Sequence, residues 1–408
     1  MIKRLLSSIG IILFILLIAG SIIAYSRGYR FNLQDKELTP TGILSATSYP
    51  EGASIWLNDK LTSATNVSIS LLPGWYNLRI GKEGYQSWEK QIRIQGEVVT
   101  RADALLIPTN PSLRALTITG VTDPTLSSTG GRVAYLVTTD EASYSASLKP
   151  KTGVWVMDLK SGPLGGQSEP KQIYTANGSE IWKDASIIWS PDEKQIILKF
   201  SKTEEKMETV YSAYQIYVDN PNILPTDVTS SWETLVTDWQ ETQKLKDNAA
   251  IDSLPPLVAT FLHTAASDIR FSPDDTKILY EATSSATLAQ VIVPPLIGTN
   301  TTQESRSIVP GKYYIYDTKE DKNFFIVDTK SINSPQAITW YTDSKHIILI
   351  EKGSIYIVDY DGSNIRTVYT GPFEGDIVFP WASSDKLVIL TNFYKPQSIP
   401  NLYEIDLR

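Results

Sequence analysis

The sequence predicts an all-β chain of more than one module behind a single apolar helix, and three observations carry that prediction. Its 21 Tyr and 10 Trp stand among many Ile, Val and Thr, side chains that suit pleated, half-buried surfaces. Apolar and polar residues alternate with period 2, as in Ser54-Ile55-Trp56-Leu57-Asn58, the mark of a strand with one buried face. A unit of apolar residue, tight polar turn and second apolar residue recurs five times between positions 126 and 388. At 408 residues the chain exceeds what one hydrophobic core serves, so two or more domains are expected.

Composition narrows the function classes. A net charge of -8 and a pI near 5.1, without a basic stripe, argue against nucleic acid. The absence of Cys removes disulfides, thiolate nucleophiles and zinc-thiolate sites. Two histidines, His263 and His346, stand far apart without a carboxylate-rich motif around either. No cofactor is implied.

From Leu5 to Tyr25 the sequence carries no charge, enough at about 20 residues to cross a hydrocarbon layer of roughly 30 Å as a helix. Lys3 and Arg4 precede the run, and Tyr25, Arg27, Tyr29 and Arg30 follow as interfacial anchors. Its length exceeds the core of a cleaved signal, about 7 to 15 residues, and favours a retained anchor. Residues 1–30 are therefore expected to form a single-pass transmembrane helix in contact with lipid, with the C-terminal domains extracytoplasmic. Residues 31–41 read as a polar linker ending at Pro40.

Residues 42–108 form the next module. Pro50-Glu51-Gly52 turns the chain ahead of the strand carrying Ile55 and Leu57. In Leu72-Pro73-Gly74, Pro presets φ and Gly is expected to take a positive φ. Tyr76, Leu78 and Ile80 then alternate inward, as do Ile92 and Ile94, and Ala104 to Pro108 close the segment. The literal Pro50-Glu51-Gly52-Ala53, the Leu72-Pro73-Gly74-x-Tyr76 turn and Gly84-Tyr85-x-x-Trp88 resemble, in order, the PEGA domain. That resemblance implies a small β-sandwich of bacterial and archaeal cell-surface proteins, and no activity. Trp56, Trp75, Tyr85 and Trp88 offer a stacking face for a sugar, but in a sandwich this small such aromatics more often complete the core.

Residues 110–408 carry the repeats: Leu126-SSTGGR-Val133, Trp189-SPDEKQ-Ile196, Phe271-SPDDTK-Ile278, Trp340-YTDSKH-Ile347 and Trp381-ASSDKL-Val388. In each the second apolar residue stands seven positions after the first, as a hairpin with a fixed turn requires. A strand ending near Asp follows each, at Asp158, Asp219, Asp317, Asp359 and Asp406. Four antiparallel strands per unit of roughly 40 residues is the blade of a β-propeller, giving about five blades, or six if an insertion hides one. Between the second and third units Trp232, Leu235, Val236 and Trp239 fall at helical spacing after a capping box Ser230-x-x-Glu233, and a second helical stretch starts at Pro255-Pro256. A helical insertion is expected at about 222–266. The last unit lacks an outer strand, which Leu113 to Thr119 is placed to supply, removing an open edge. The Ser-Pro-Asp hairpins and Ile357 to Asn364 resemble the repeats of TolB-type propellers, which implies a protein-binding module of the cell envelope.

No constellation reads as catalytic. Asp359, Asp361, Gly362 and Asn364 alternate like a calcium loop, but Thr370 stands where its closing Glu belongs, and a hairpin turn is the better reading. Asp192, Asp274 and Asp275 are turn residues. His346 in an apolar strand and His263 in an apolar helix read as packed side chains, and Ser383-x-x-Lys386 matches a serine-lysine pattern in a turn without its companion motifs. The expectation is an extracytoplasmic binding or scaffold protein, not an enzyme, whose insertions at 137–152, 222–266 and 284–310 elaborate a face for a protein or peptide. The alternative is an envelope glycan-binding or glycan-cleaving protein, which needs a carboxylate pair about 5 to 10 Å apart beside exposed aromatics.

Overall fold

The computed structural model describes residues 2–26, 29–32, 37–138, 152–160, 169–175, 185–204, 207–220, 222–383, 385–393 and 399–408. They form two compact units. Unit 1 comprises Met1–Thr109, Ile292–Glu304 and Lys319–Lys322, and unit 2 the remainder.

Helix α1 spans Ile2–Ser26. The side chains described in it run from Ile9 to Ile23 and are exposed, Leu16 to 65%. Among the described residues no helix is long and apolar enough to cross a membrane, which overturns the transmembrane part of the expected fold class. The segment read as a linker contains a hairpin, Tyr29–Asn32 against Glu37–Pro40.

The rest of unit 1 is a two-layer sandwich. One layer sets Gly42–Tyr49 between Val67–Leu71, antiparallel, and Val99–Leu105, parallel. The other orders Lys60–Ala64, Ser54–Leu57, Gly74–Gly81 and Trp88–Ile94. Strict alternation along these strands sends Leu44, Ala46, Ile55, Leu78, Ile80, Ile92, Ile94, Ala102 and Ala104 into one core. Gly74 does not take positive φ; it pairs with Ile94 as the first residue of its strand, and the Tyr76 hydroxyl closes the turn on the Leu72 carbonyl at 3.0 Å. Ile292–Glu304 completes the unit: Gly298 N donates to Gln95 Oε1 at 2.7 Å and Thr301 Oγ1 to the Gln91 carbonyl at 2.6 Å.

Unit 2 holds five four-stranded sheets among the described residues. Blade I consists of Thr122–Leu126, Arg132–Val137, Gly153–Asp158 and Lys171–Thr175. Blade II consists of Ala185–Trp189, Gln195–Glu204, Met207–Tyr217 and Thr226–Asp227. Blade III consists of Ala266–Phe271, Lys277–Ala282, Lys312–Asp317 and Lys322–Asp328. Blade IV consists of Ile338–Trp340, His346–Glu351, Ser354–Asp359 and Arg366–Tyr369. Blade V takes Val378–Pro380, Lys386–Thr391 and Asn401–Asp406 from the end of the chain and Leu113–Ala115 from its earlier part, with Leu113 opposite Ile405. This closure gives the last strand two partners and leaves it no open edge.

The seven-residue spacing of the repeats is cross-strand register: Leu126 faces Val133, Trp189 faces Ile196, Phe271 faces Ile278 and Trp340 faces Ile347. Blade V is offset by one from the sequence reading. Pro380 faces Leu387, and Trp381 takes the first turn position, its N–H donating to Lys386 O as Ser190 does to Gln195 O. Apolar faces of neighbouring sheets meet between I and II through Leu136, Val154, Ile196 and Phe200. They meet between V and I through Tyr135, Met157, Val388 and Leu402, and between III and IV through Tyr313, Ile315, Ile347 and Leu349.

Between II and III stand α2 (Trp232–Asp252) and α3 (Pro256–Ala265). Trp232, Leu235, Val236 and Trp239 cover Ile197, Ala213 and Val228 of the blade II side, while Val258, Phe261 and Leu262 cover Ile278, Tyr280 and Tyr314 of blade III. The expected capping box does not form: Ser231 is the N-cap and makes no side-chain cap bond, so helix stability here comes from the apolar face.

Alternating strand direction fixes where connections emerge. The first and third turns of each sheet leave from one end, and the second connection and the passage to the next sheet leave from the other. The connections 138–152 and 283–311, and the passage bearing α2 and α3, therefore all leave from the same end. Residues 139–151 of the first lie outside the described residues.

Candidate functional site

The turn carboxylates are consumed by their own turns. Ser190 Oγ donates to Asp192 Oδ1 at 2.7 Å and accepts from Gln195 N at 3.0 Å; Ser272 does the same with Asp274 at 2.8 Å and Lys277 N at 3.0 Å. Partial burial opposes ionisation of Asp274, but hydrogen bonds from Ser272 and Thr276 outweigh it and hold the group at about 2. Asp275 supplies a turn residue of positive φ. Such carboxylates remain charged acceptors and are unsuited to proton transfer near neutrality.

In blades I, III and IV the Asp that ends the third strand faces a cation that opens the second. Arg132 pairs with Asp158 at 3.1 Å and Lys277 with Asp317 at 3.8 Å. In blade IV the cation is His346, which offers Nδ1 to Asp343 at 2.6 Å and Nε2 to Asp359 at 3.2 Å. Burial alone favours the neutral ring; the two carboxylates overcome it and raise the imidazole to about 10. Asp343 is correspondingly held below the usual carboxylate range, its own burial outweighed by the His346 charge. Asp343 and Asp359 thus flank one imidazolium as its ion-pair partners.

Asp359, Asp361, Gly362 and Asn364 form a turn. Ser363 N and Oγ donate to Asp361 Oδ1 at 3.0 and 2.6 Å, and Asn364 Nδ2 donates to Asp359 Oδ2 at 3.0 Å. Among the described residues no group of three or more His, Asp or Glu is placed to hold a metal. Gly362 is required here: φ is +78°, and a Cβ would lie 2.6 Å from the Phe325 carbonyl. Gly362→Ala is expected to lower unfolding free energy by about 1–3 kcal/mol, read from the urea midpoint; an unchanged midpoint would remove this contact from the account.

Ser383 and Lys386 do not meet as a catalytic pair. The serine donates to Asp385, and the lysine sits 3.1 Å from Glu404 and above the Trp381 ring. His263 is not packed as the sequence implied; its side chain is 41% exposed, with Nε2 2.8 Å from Asp252 Oδ1, tying α3 to the end of α2.

An open cleft lies on the sandwich. Of the four aromatics weighed as a sugar platform, Trp88 is core and Trp75 is 54% exposed beneath Arg93. Trp56 and Tyr85 line a cleft of about 480 Å3 with Ser54, Arg79, Lys82 and Ser87. Trp56 and Arg79 are cross-strand partners on the outward face, and the guanidinium lies 4.1 Å from the centre of the indole. One face of Trp56 is thus covered by a cation, so the four aromatics do not make a sugar-stacking platform. Arg79 and Lys82 escaped the sequence reading; the signal for Arg79 was the outward phase of the alternation that buries Leu78 and Ile80, whereas Lys82 follows the end of that strand.

Solved structures show distant likeness. The putative TolB of Agrobacterium tumefaciens is 13% identical, with 70% of this chain and 74% of that chain covered and a TM-score of 0.22. For TolB of Acinetobacter baumannii the values are 13%, 81%, 59% and 0.20. For the oligogalacturonate lyase of Vibrio parahaemolyticus they are 8%, 91%, 99% and 0.25. A comparison with curated proteins found no match. Residues 41–110 match the family model of the PEGA domain, the span that folds as the two-layer sandwich.

Proposed function

We propose that the chain is an extracytoplasmic binding scaffold of the cell envelope, in which residues 42–108 form one module and the propeller of residues 110–408 holds a protein or peptide. The observation that carries this reading is topological. Rigid sheets with completed cores send their long connections from one common end, the arrangement in which a scaffold lends specificity to its loops; Ile292–Glu304 of the third is taken up by the sandwich, which leaves the helical passage as the main elaboration described. That end includes exposed apolar side chains on the helices, Leu245 at 69% and Leu257 at 58%. The carboxylates within the blades are engaged in turns and ion pairs, which supports binding over catalysis. The envelope location draws support from the sandwich, whose family resemblance points to the cell surface.

A photo-crosslinking residue placed in intact cells at Leu245 or Leu257, and separately at the exposed turn positions Lys194 and Asp275 of the opposite end, tests the proposal. A discrete protein adduct is expected at the two helix positions and none at the turns. Equal adducts at both ends, or none at either, overturns it.

A further inference from the structure

We propose that the cleft on the sandwich is an oxyanion-binding site, taking a carboxylate or phosphate carried on a sugar-sized polar body. The inference stands apart from the protein-binding role of the propeller. Its volume of about 480 Å3 lies within the roughly 300–1,000 Å3 of small-ligand sites. Its lining carries two cations, Arg79 and Lys82, against one carboxylate, Glu83.

The cations are positioned by their neighbours, and Glu89, the register partner of Arg79, stands at the border of the cleft, where Ser87 Oγ donates to its carboxylate at 3.4 Å. Arg79 lies over Trp56, its Cζ 4.1 Å from the ring centre, and forms no ion pair among the described residues. A guanidinium held over an indole keeps N–H donors with which arginine grips a planar or tetrahedral oxyanion in bidentate fashion. Lys82 donates one N–H to the Glu51 carbonyl at 2.8 Å, which pins the amino group beside the cleft with two donors left. Ser54 and Ser87 add hydroxyls, and Tyr85 an aromatic surface. Gly81 contributes no side chain to the lining: a Cβ there would stand 3.4 Å from Trp56 Cζ3 and 3.5 Å from Ser87 Cβ, in space the glycine keeps open.

Calorimetric titration of the full chain at low salt with glucuronate, glucose 1-phosphate and glucose tests the site. At least one of the two acids is expected to bind with a dissociation constant between about 0.1 and 10 mM, and glucose not to bind in that range. Which acid binds decides between a carboxylate and a phosphate source. Arg79→Gln is expected to weaken binding by about tenfold or more, the loss of one charge-assisted contact. Arg93→Gln, which removes the other stacked arginine of the sandwich, leaves it unchanged. Gly81→Ala narrows the cleft at ordinary contact distances and weakens binding with both cations intact, so it decides the matter if Arg79→Gln fails to fold. Equal binding of glucose, an Arg79→Gln protein of wild-type affinity, or no heat from either acid up to about 20 mM overturns the proposal.

Discussion

Removal of Asn401–Arg408 is expected to abolish the cooperative unfolding transition of unit 2. The strand Asn401–Asp406 lies inside its sheet, bonded to Lys386–Thr391 on one side and to Leu113–Ala115 on the other. Leu402, Ile405 and Leu407 are fully buried, and truncation of one such side chain costs about 2–5 kcal/mol. Loss of all three approaches the whole stability of an ordinary domain, about 5–15 kcal/mol. The deletion also bares the edge of Lys386–Thr391, so association is expected alongside unfolding. Urea titration followed by circular dichroism, with size-exclusion chromatography, measures both. A truncated chain that stays monomeric with the full-length midpoint would show that closure is dispensable. Leu402→Ala, at about 2–5 kcal/mol, is the graded form of the experiment.

His346→Gln is expected to cost about 3 kcal/mol, because it leaves Asp343 and Asp359 facing a neutral amide in a buried setting. The pH dependence identifies the cause. The imidazole is raised from 6.5 to about 10 in the folded chain, so its contribution is fully present below about 6.5 and fades as pH rises through the folded value. Asp343 is shifted the other way, from 3.8 downward, and its contribution is present above that ordinary value and lost on acidification. The stability gap between wild type and His346→Gln is therefore widest between these limits and closes toward pH 10. A gap that does not change from pH 6 to 10 would mean that the imidazole is neutral in the fold and that packing alone explains the loss.

Much of unit 2 was legible in the sequence because its signals are local. An apolar pair seven residues apart is a statement about one hairpin, and four of five such pairs are register partners. The fifth slipped by one because Trp381 is as apolar as the Pro380 beside it, and only the backbone bond from Trp381 to Lys386 shows which of them opens the turn. The acids at strand ends were visible, but not their reason, since Asp317 and Lys277 are forty positions apart in sequence and meet only through strand pairing. The same limit hid the cleft. Alternation places Trp56 and Arg79 outward separately, and only the sheet sets them opposite each other. Ile292–Glu304 has no periodicity to announce that it completes the sandwich. The opening segment does form a helix, as its run of apolar residues implied, but among the described residues none is long and apolar enough to cross a membrane.

The two helices between blades II and III carry a geometric consequence. At the other joints described, pleated surface meets pleated surface, and the spacing is fixed by strand twist and side-chain depth. Here the spacing is set by how deeply Trp232, Trp239 and Phe261 seat against their neighbours. Resizing these three residues is expected to alter how the helices seat between blades II and III while the hydrogen-bonded ladders of both sheets keep their register.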